Sequence, residues 1–300
     1  MKIAILSKGK DNYSTKRLIE TARERGHKAI VVNYAECYCE IEQDVPDVRY
    51  KGEDISDINA IVPRIAASLT KYGSAIVRQF EVKGVYTTAK SIAIVRSRDK
   101  LKSLQILSKA GVGIPKTVFA RETAEVDDLI EQIGVPMVIK VARGTHGKGV
   151  VLADTKKAAK SVIQAFYVEG VSILLQEFIA ESAGSDIRAI VVGGRVVASM
   201  KRQSLGDDFR SNIHLGGVGK KIKLTDEERK TAIKAAKAMG LSICGVDMIQ
   251  SNRGPRVLEV NSSPGLQGIE TATKRDVAGK IIDYVEINAK RRPKKDRVCA

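Results

Sequence analysis

Three oxygen-bearing residues near the C-terminus carry the most specific chemical signal in the chain. Glu259 and Asn261 stand two apart in an apolar run, so on a β-strand they share one face. A second apolar run covers 243–250, and a hairpin centred on Arg253 sets Asp247 directly opposite Glu259. Facing carboxylates repel. A divalent cation between them removes that penalty, and oxygen ligands without thiol or imidazole suit magnesium rather than zinc. The competing reading is an exposed sheet face whose acids are there by chance.

Cations complete a nucleotide-like pattern. Lys140 interrupts the apolar run Val138-Ile139-Lys140-Val141, an unusual place for a solvated lysine, and Lys100 stands in a separate segment. Two such cations can neutralise a triphosphate whose charge would oppose nucleophilic attack. Lys140 is followed by Gly144-Thr145-His146-Gly147-Lys148-Gly149, whose small residues let backbone amides approach phosphate. The segment lacks Walker spacing and a following helix, so a plain hairpin turn is an equal reading. Asp186 and Arg188 share a face of another hairpin, and Arg202 follows its second strand. They suit ribose and phosphate, or else form a surface ion pair worth about 0–1 kcal/mol. The polar stretch 204–219, with Arg210, Ser211, Asn212 and His214, is too long for a tight turn and reads as a lid.

Positioning these groups needs more than one lobe. Residues 1–95 alternate strand and helix patterns, which predicts a parallel sheet. A helical stretch over 89–110 with a break near 97–99 bridges to a central α+β lobe over 96–182, and a C-terminal α+β lobe carries the three oxygen ligands over 183–290. Gly193-Gly194 predicts a tight hairpin, and Thr225 with Glu228 a capping box opening a helix that ends at Gly240. Residues 291–300 form a basic tail.

Composition narrows the function. The 300 residues carry a formal charge of +16, which suits an acidic substrate, nucleic acid or a membrane surface. Only 4% of residues are aromatic, so base stacking has little support, and RNA contact is expected through the tail alone. No run approaches the ~20 apolar residues of a membrane span. The four cysteines lack zinc-site spacing and read as reduced thiols, as in a cytoplasmic protein.

The order Lys100, Lys140, glycine-rich loop, Gln176-Glu177-Phe178-Ile179, Asp186-Ile187-Arg188, Asp247, Glu259-Val260-Asn261 resembles the ATP-grasp superfamily. Pro63-Arg64-Ile65, Arg96-Ser97-Arg98-Asp99-Lys100, Asp208-Phe209-Arg210-Ser211-Asn212 and Asn261-Ser262-Ser263-Pro264-Gly265-Leu266 narrow the resemblance to the RimK family of ribosomal protein modification ligases. The resemblance implies an ATP-grasp fold, ATP as cosubstrate, and L-glutamate joined to a carboxylate through an acyl phosphate. It implies that Lys100, Lys140, Gly144, Gly147 and Gly149 meet the phosphates, Glu177, Phe178 and Ile179 the adenine, Asp186 the ribose side, and Arg188 the nucleotide. Arg202, Arg210, Ser211 and Asn212 would surround the transferring phosphate, with Arg202 and Lys140 catalytic. Asp247, Glu259 and Asn261 would hold two Mg2+ or Mn2+ ions, and Arg64, Ser262, Ser263 and Gly265 would face substrate. The implied acceptor is a ribosomal protein C-terminus or a polyglutamate chain, and the implied assembly a dimer or tetramer.

Gln203 departs from the arginine expected after Arg202, and His146 and Lys148 add charge to the glycine loop. Both departures leave the acceptor open. A ligase adding glutamate to a small cofactor, a ligase of amino-acid biosynthesis and a non-catalytic ATP-binding regulator stay as alternatives, separable by which carboxylate, if any, drives ATP turnover.

Overall fold

The computed structural model describes residues 1–43, 45–55, 57–122, 124–141, 149–182, 184–205 and 217–290. The sequence-based expectations for Gly144, Gly147, Arg210, Ser211, Asn212, His214 and the basic tail lie outside the described residues.

The first lobe begins β1 (Lys2–Ser7), α1 (Tyr13–Glu24) and β2 (Lys28–Val32), then β3 (Cys37–Glu42), β4 (Val45–Tyr50) and β5 (Glu53–Asp54), then β6 (Ala60–Arg64), α2 (Thr70–Val82) and β7 (Tyr86–Thr87). The predicted parallel sheet runs in the order β2-β1-β6-β7. The antiparallel sheet β3-β4-β5 has no counterpart in the sequence reading. Its strands bury little beyond Cys37 and Val48 and leave Tyr38 and Ile41 exposed, so they lack the apolar alternation that marks a strand. Burial pushes the Cys37 thiol up to about 12, which suits an unreactive reduced cysteine.

The bridge is two helices, α3 (Ser91–Arg98) and α4 (Lys100–Lys109). Asp99 breaks them apart because its carboxylate accepts from the Lys102 amide at 2.9 Å and caps α4. The break places Arg98 at the end of one helix and Lys100 at the start of the next. The central lobe follows as β8 (Thr117–Ala120), α5 (Val126–Ile133), β9 (Met137–Val141), β10 (Val150–Ala153), α6 (Lys156–Val168) and β11 (Ile173–Glu177), with antiparallel order β10-β9-β11-β8.

The last lobe comprises β12 (Ser185–Val192), β13 (Arg195–Gln203), β14 (Val218–Lys221), α7 (Asp226–Met239), β15 (Ile243–Ile249), β16 (Arg256–Asn261), α8 (Gln267–Thr273) and α9 (Val277–Ala289). Its sheet runs β14-β13-β12-β15-β16. Thr225 and Glu228 form the predicted capping box of α7, and Gly240 ends that helix with φ 71°. Gly193 and Gly194 turn the β12–β13 hairpin with φ 57° and 74°. A Cβ on Gly193 would sit 2.7 Å from the Tyr284 ring, so α9 packs directly on that turn.

The cores do not follow the three sequence segments. One joins Leu6, Ile61 and Phe80 of the first lobe to Leu107 of α4, Ala232 of α7 and Val246 of β15. A second joins Ile3 and Leu18 to Ile190, Met200 and Ile281. The central lobe has its own core around Ile139, Ile163 and Leu175. The first and last lobes are therefore one packed body, and the central lobe stands against it as the separable part.

Candidate active site

Strands β12, β13, β15 and β16 build a polar floor on one sheet face. Asp186 pairs with Arg202 across β12 and β13, Arg188 with Asp247 across β12 and β15, and Asp247 with Glu259 across β15 and β16. The same face continues into Ile190, Val192, Ala198 and Met200, which are buried with α8 and α9, so the charged end is the open end of a packed surface.

The facing carboxylates are where the sequence placed them, but a bulge puts them there. Met248 pairs with Val257 and Ile249 with Arg256, which centres the turn half a residue before Arg253. The register then shifts at Leu258 and restores Asp247 opposite Glu259. Unbroken alternation would put Val257 on the same face as Glu259 and Asn261. The extra residue sends Val257 into the core with Val260 and leaves Glu259 and Asn261 on the cleft side.

The charges on this floor are unevenly matched. Arg188 Nε donates to Asp247 Oδ1 at 2.7 Å, and Arg202 reaches Asp247 Oδ2 at 3.0 Å. Arg202 also grips both carboxylate oxygens of Asp186. Burial alone would raise the Asp247 pKa, but the two arginines outweigh it and hold the group well below the usual carboxylate range. Glu259 goes the other way. Protein crowded around its solvent-open carboxylate, together with the charge of Asp247, raises its pKa. Asn261 Nδ2 donates to Glu259 Oε1 at 2.7 Å, which leaves the amide oxygen of Asn261 unengaged among the described residues. A like-charged carboxylate pair with one surplus negative charge and a neighbouring amide oxygen is a donor set that fits a hard divalent cation.

Two lysines approach from the central lobe and the bridge. Lys140 Nζ donates to Gln176 Oε1 at 2.6 Å, and Gln176 is fixed in turn by its Nε2 donating to Thr117 Oγ1 at 2.9 Å. Burial pushes Lys140 down to about 8, with Glu259 opposing the shift and Lys100 adding to it. Lys100 Nζ donates to the Val141 carbonyl at 3.1 Å, and burial lowers its pKa also. Gln176 stands in the motif Gln176-Glu177-Phe178-Ile179 but was given no role of its own, although it ends the apolar run Ile173-Leu174-Leu175 as Lys140 interrupts its own run.

Several predicted residues have other occupations. Asp186 is 6% exposed and both its oxygens accept from Arg202, so it braces that arginine. The Glu177 carboxylate accepts from the Lys116 amide at 2.7 Å and from Arg253 at 2.6 Å, so it latches β11 to the β15–β16 turn. Ile179 is buried, and Phe178 is half-buried beside it. Gly149 closes the β9–β10 hairpin with φ 70°, and a Cβ there would strike Val141 at 2.5 Å. Its glycine requirement is thus a backbone one. Ser262 is buried with an unpartnered Oγ, Ser263 reaches the Pro63 carbonyl at 3.4 Å, and a methyl on Gly265 would enter open space. Arg64 ends β6 close to Arg98, a residue to which the sequence reading gave no role.

Comparison with known proteins agrees with this layout. Residues 1–94 match the RimK PreATP-grasp domain and residues 97–285 the RimK-like ATP-grasp domain. A protein of Hydrogenovibrio crunogenus named probable alpha-L-glutamate ligase is 57% identical, covering 97% of each chain. One of Maridesulfovibrio salexigens with the same name is 55% identical over 96% of each. Among solved structures, the ATP-grasp ligase PsnB complexed with minimal precursor, Mg and ADP superposes with a TM-score of 0.74 at 20% identity, covering 97% of this chain and 98% of that one. No described helix is long and apolar enough to cross a membrane. With both family models in register along the chain, and the paired acids and lysines set in one cleft, the protein belongs to the RimK-like ATP-grasp family and is an ATP-dependent ligase.

Proposed function

We infer that this ligase joins L-glutamate to a carboxylate at the end of a polypeptide, through an acyl phosphate. The carrying observation is the opposition of Asp247 and Glu259 on one sheet to Lys140 and Lys100 from other segments of the cleft. That arrangement handles a polyphosphate and a metal together. The names of the curated relatives support glutamate, and the precursor peptide with which PsnB is complexed supports a polypeptide acceptor. The +16 charge suits an acidic product, such as a growing polyglutamate chain or a glutamate-extended ribosomal protein C-terminus.

Asp247, Glu259 and Asn261 would hold two Mg2+ or Mn2+ ions. Such ions, when bound, neutralise phosphate charge and polarise the phosphoryl oxygens. The chain's own residues do the rest. Lys140 and Lys100 bind ATP oxygens, and Arg202, held rigidly by Asp186, offers its remaining donor edge to the transferring phosphate. Arg210, Ser211 and Asn212 are assigned beside it, and Gly144 and Gly147 over the phosphates. A carboxylate oxygen of the acceptor attacks the γ-phosphorus and ADP departs. The amine of glutamate attacks the resulting acyl carbon, the C–O bond to phosphate breaks, and the amine proton leaves with solvent or phosphate. Water must be kept away because an acyl phosphate hydrolyses.

Lys140 gives this reading a pH dependence. It is cationic below about 8 and loses its proton above, so kcat/KM for ATP is expected to fall as pH rises through that value. Lys140→Arg removes that falling limb, at the cost of a lower rate from the misplaced charge. A wild-type profile flat to pH 9.5 contradicts the assignment.

The function itself is tested by mass spectrometry of reactions containing ATP, magnesium and glutamate, with and without small-subunit ribosomal protein. A ladder of glutamyl additions with one ADP formed per addition is expected. ATP turnover driven only by a small cofactor carboxylate, with no ladder on polypeptide or polyglutamate, would replace the acceptor assignment.

A further inference from the structure

Arginines in this cleft are treated in two ways. Arg188 and Arg202 are matched to Asp247 and Asp186. Arg64 and Arg98 are not: among the described residues neither forms an ion pair, and Arg64 forms no hydrogen bond. Arg98 donates once, to the Ile65 carbonyl at 2.7 Å, while its Nε is buried without a partner. Burial and the neighbouring Arg98 push Arg64 down to about 10, and burial lowers Arg98, opposed by the charge of Glu259. Two half-buried guanidiniums, brought together by the Arg98 bond to the carbonyl beside Arg64 and lacking a counter-ion among the described residues, destabilise the free protein, which points to an anion that completes the pair.

Their location agrees. Arg64 lies at the carboxyl end of β6, in register with Ser7 at the carboxyl end of β1, the edge where open parallel sheets receive ligands. Ser262, 5% exposed with an unpartnered Oγ, adjoins Ser263, which reaches back to the Pro63 carbonyl. Arg98 feels both Arg64 and Glu259, so the pair lies on the first-lobe side of the reacting centre.

We propose that Arg64 and Arg98 form a twin-guanidinium subsite for a substrate carboxylate that does not react, and that this subsite selects glutamyl over neutral side chains. The inference rests on the ligase reading above. Every substrate of that reaction carries such a group: an acceptor ending in glutamate keeps its γ-carboxylate, and the incoming glutamate keeps both of its carboxylates. A planar carboxylate fits the guanidinium fork with two hydrogen bonds, whereas an amide brings donors against donors.

The test compares the wild type with Arg64→Gln, Arg98→Gln and the charge-keeping Arg64→Lys and Arg98→Lys, using glutamate against glutamine and acceptor peptides ending in either. Each glutamine variant is expected to raise the KM of a glutamate-bearing substrate about 30-fold or more and to collapse the preference over glutamine, with KM for ATP within about 2-fold of wild type. The lysine variants fall between. A KM rise confined to the incoming amino acid assigns the carboxylate to it, and one confined to the peptide assigns it to the acceptor. An unchanged glutamate preference, or a fall in kcat alone, in variants that melt like the wild type overturns the subsite. If a glutamine variant fails to fold, the lysine variant decides by the same KM criterion. Calorimetric titration with a diglutamate peptide separates the two readings. Binding by wild type that is lost in Arg98→Gln, without turnover, leaves the subsite standing and removes the ligase reading, whereas no binding by wild type overturns the subsite.

Discussion

Glu259→Gln is expected to reduce ligase turnover by about 10^3-fold or more while leaving the fold as stable as before, or more so. The sign follows from the cleft. The protein crowded around Glu259 and the charge of Asp247 raise its pKa, so its ionised form is disfavoured in the folded protein and opposes stability near neutral pH. A neutral glutamine removes that repulsion and one proposed metal ligand together. Thermal melts should therefore show a midpoint equal to or above wild type without metal, and loss of the rise that magnesium gives the wild type. Retained turnover, or a magnesium-dependent rise of wild-type size in the variant, would sink the metal assignment.

Arg202→Met should behave differently, losing stability and rate together. Arg202 is 3% exposed and serves Asp186 and Asp247 at once. Removing one partner from such a buried network costs about 3–5 kcal/mol, because the remaining carboxylate loses its two-pronged guanidinium. Asp247 keeps Arg188, so most of that cost falls at Asp186. Loss of the guanidinium proposed to face the transferring phosphate should lower kcat by about 10^2- to 10^3-fold. A second substitution separates the effects. Arg202→Met with Asp186→Leu should recover much of the denaturant midpoint while turnover stays lost. Recovery of both would mean that Arg202 only holds the fold, and recovery of neither would mean that the quartet is not the source of the stability.

What the sequence could announce depended on whether a residue broke its local pattern. Lys140 inside an apolar strand, the paired spacing of Glu259 and Asn261, Asp99 at a helix break and the Thr225–Glu228 box all violate or punctuate a periodicity, and each is found in the position expected. The Asp247–Glu259 pairing was legible but its cause was not, because a bulge at Leu258 has no composition signature and offsets a turn centred differently. Asp186 and Glu177 were legible as polar, yet their partners Arg202 and Arg253 are chosen by tertiary packing. The merging of the first and last lobes was invisible for the same reason: α9 (Val277–Ala289) covers both α1 (Tyr13–Glu24), far back in the chain, and the β12–β13 hairpin, and local periodicity carries no information on which apolar face meets which.

The central claim is that a carboxylate is activated by phosphoryl transfer before the amine attacks, and isotope transfer reads that step directly. An acceptor peptide with both oxygens of its reacting carboxylate labelled with 18O is incubated with enzyme, ATP, magnesium and glutamate, and the released phosphate is weighed. One labelled oxygen in each phosphate, matched to one new amide bond, is the predicted result. Amide formation with unlabelled phosphate would contradict the acyl phosphate route and the roles assigned to Lys140 and Arg202 with it.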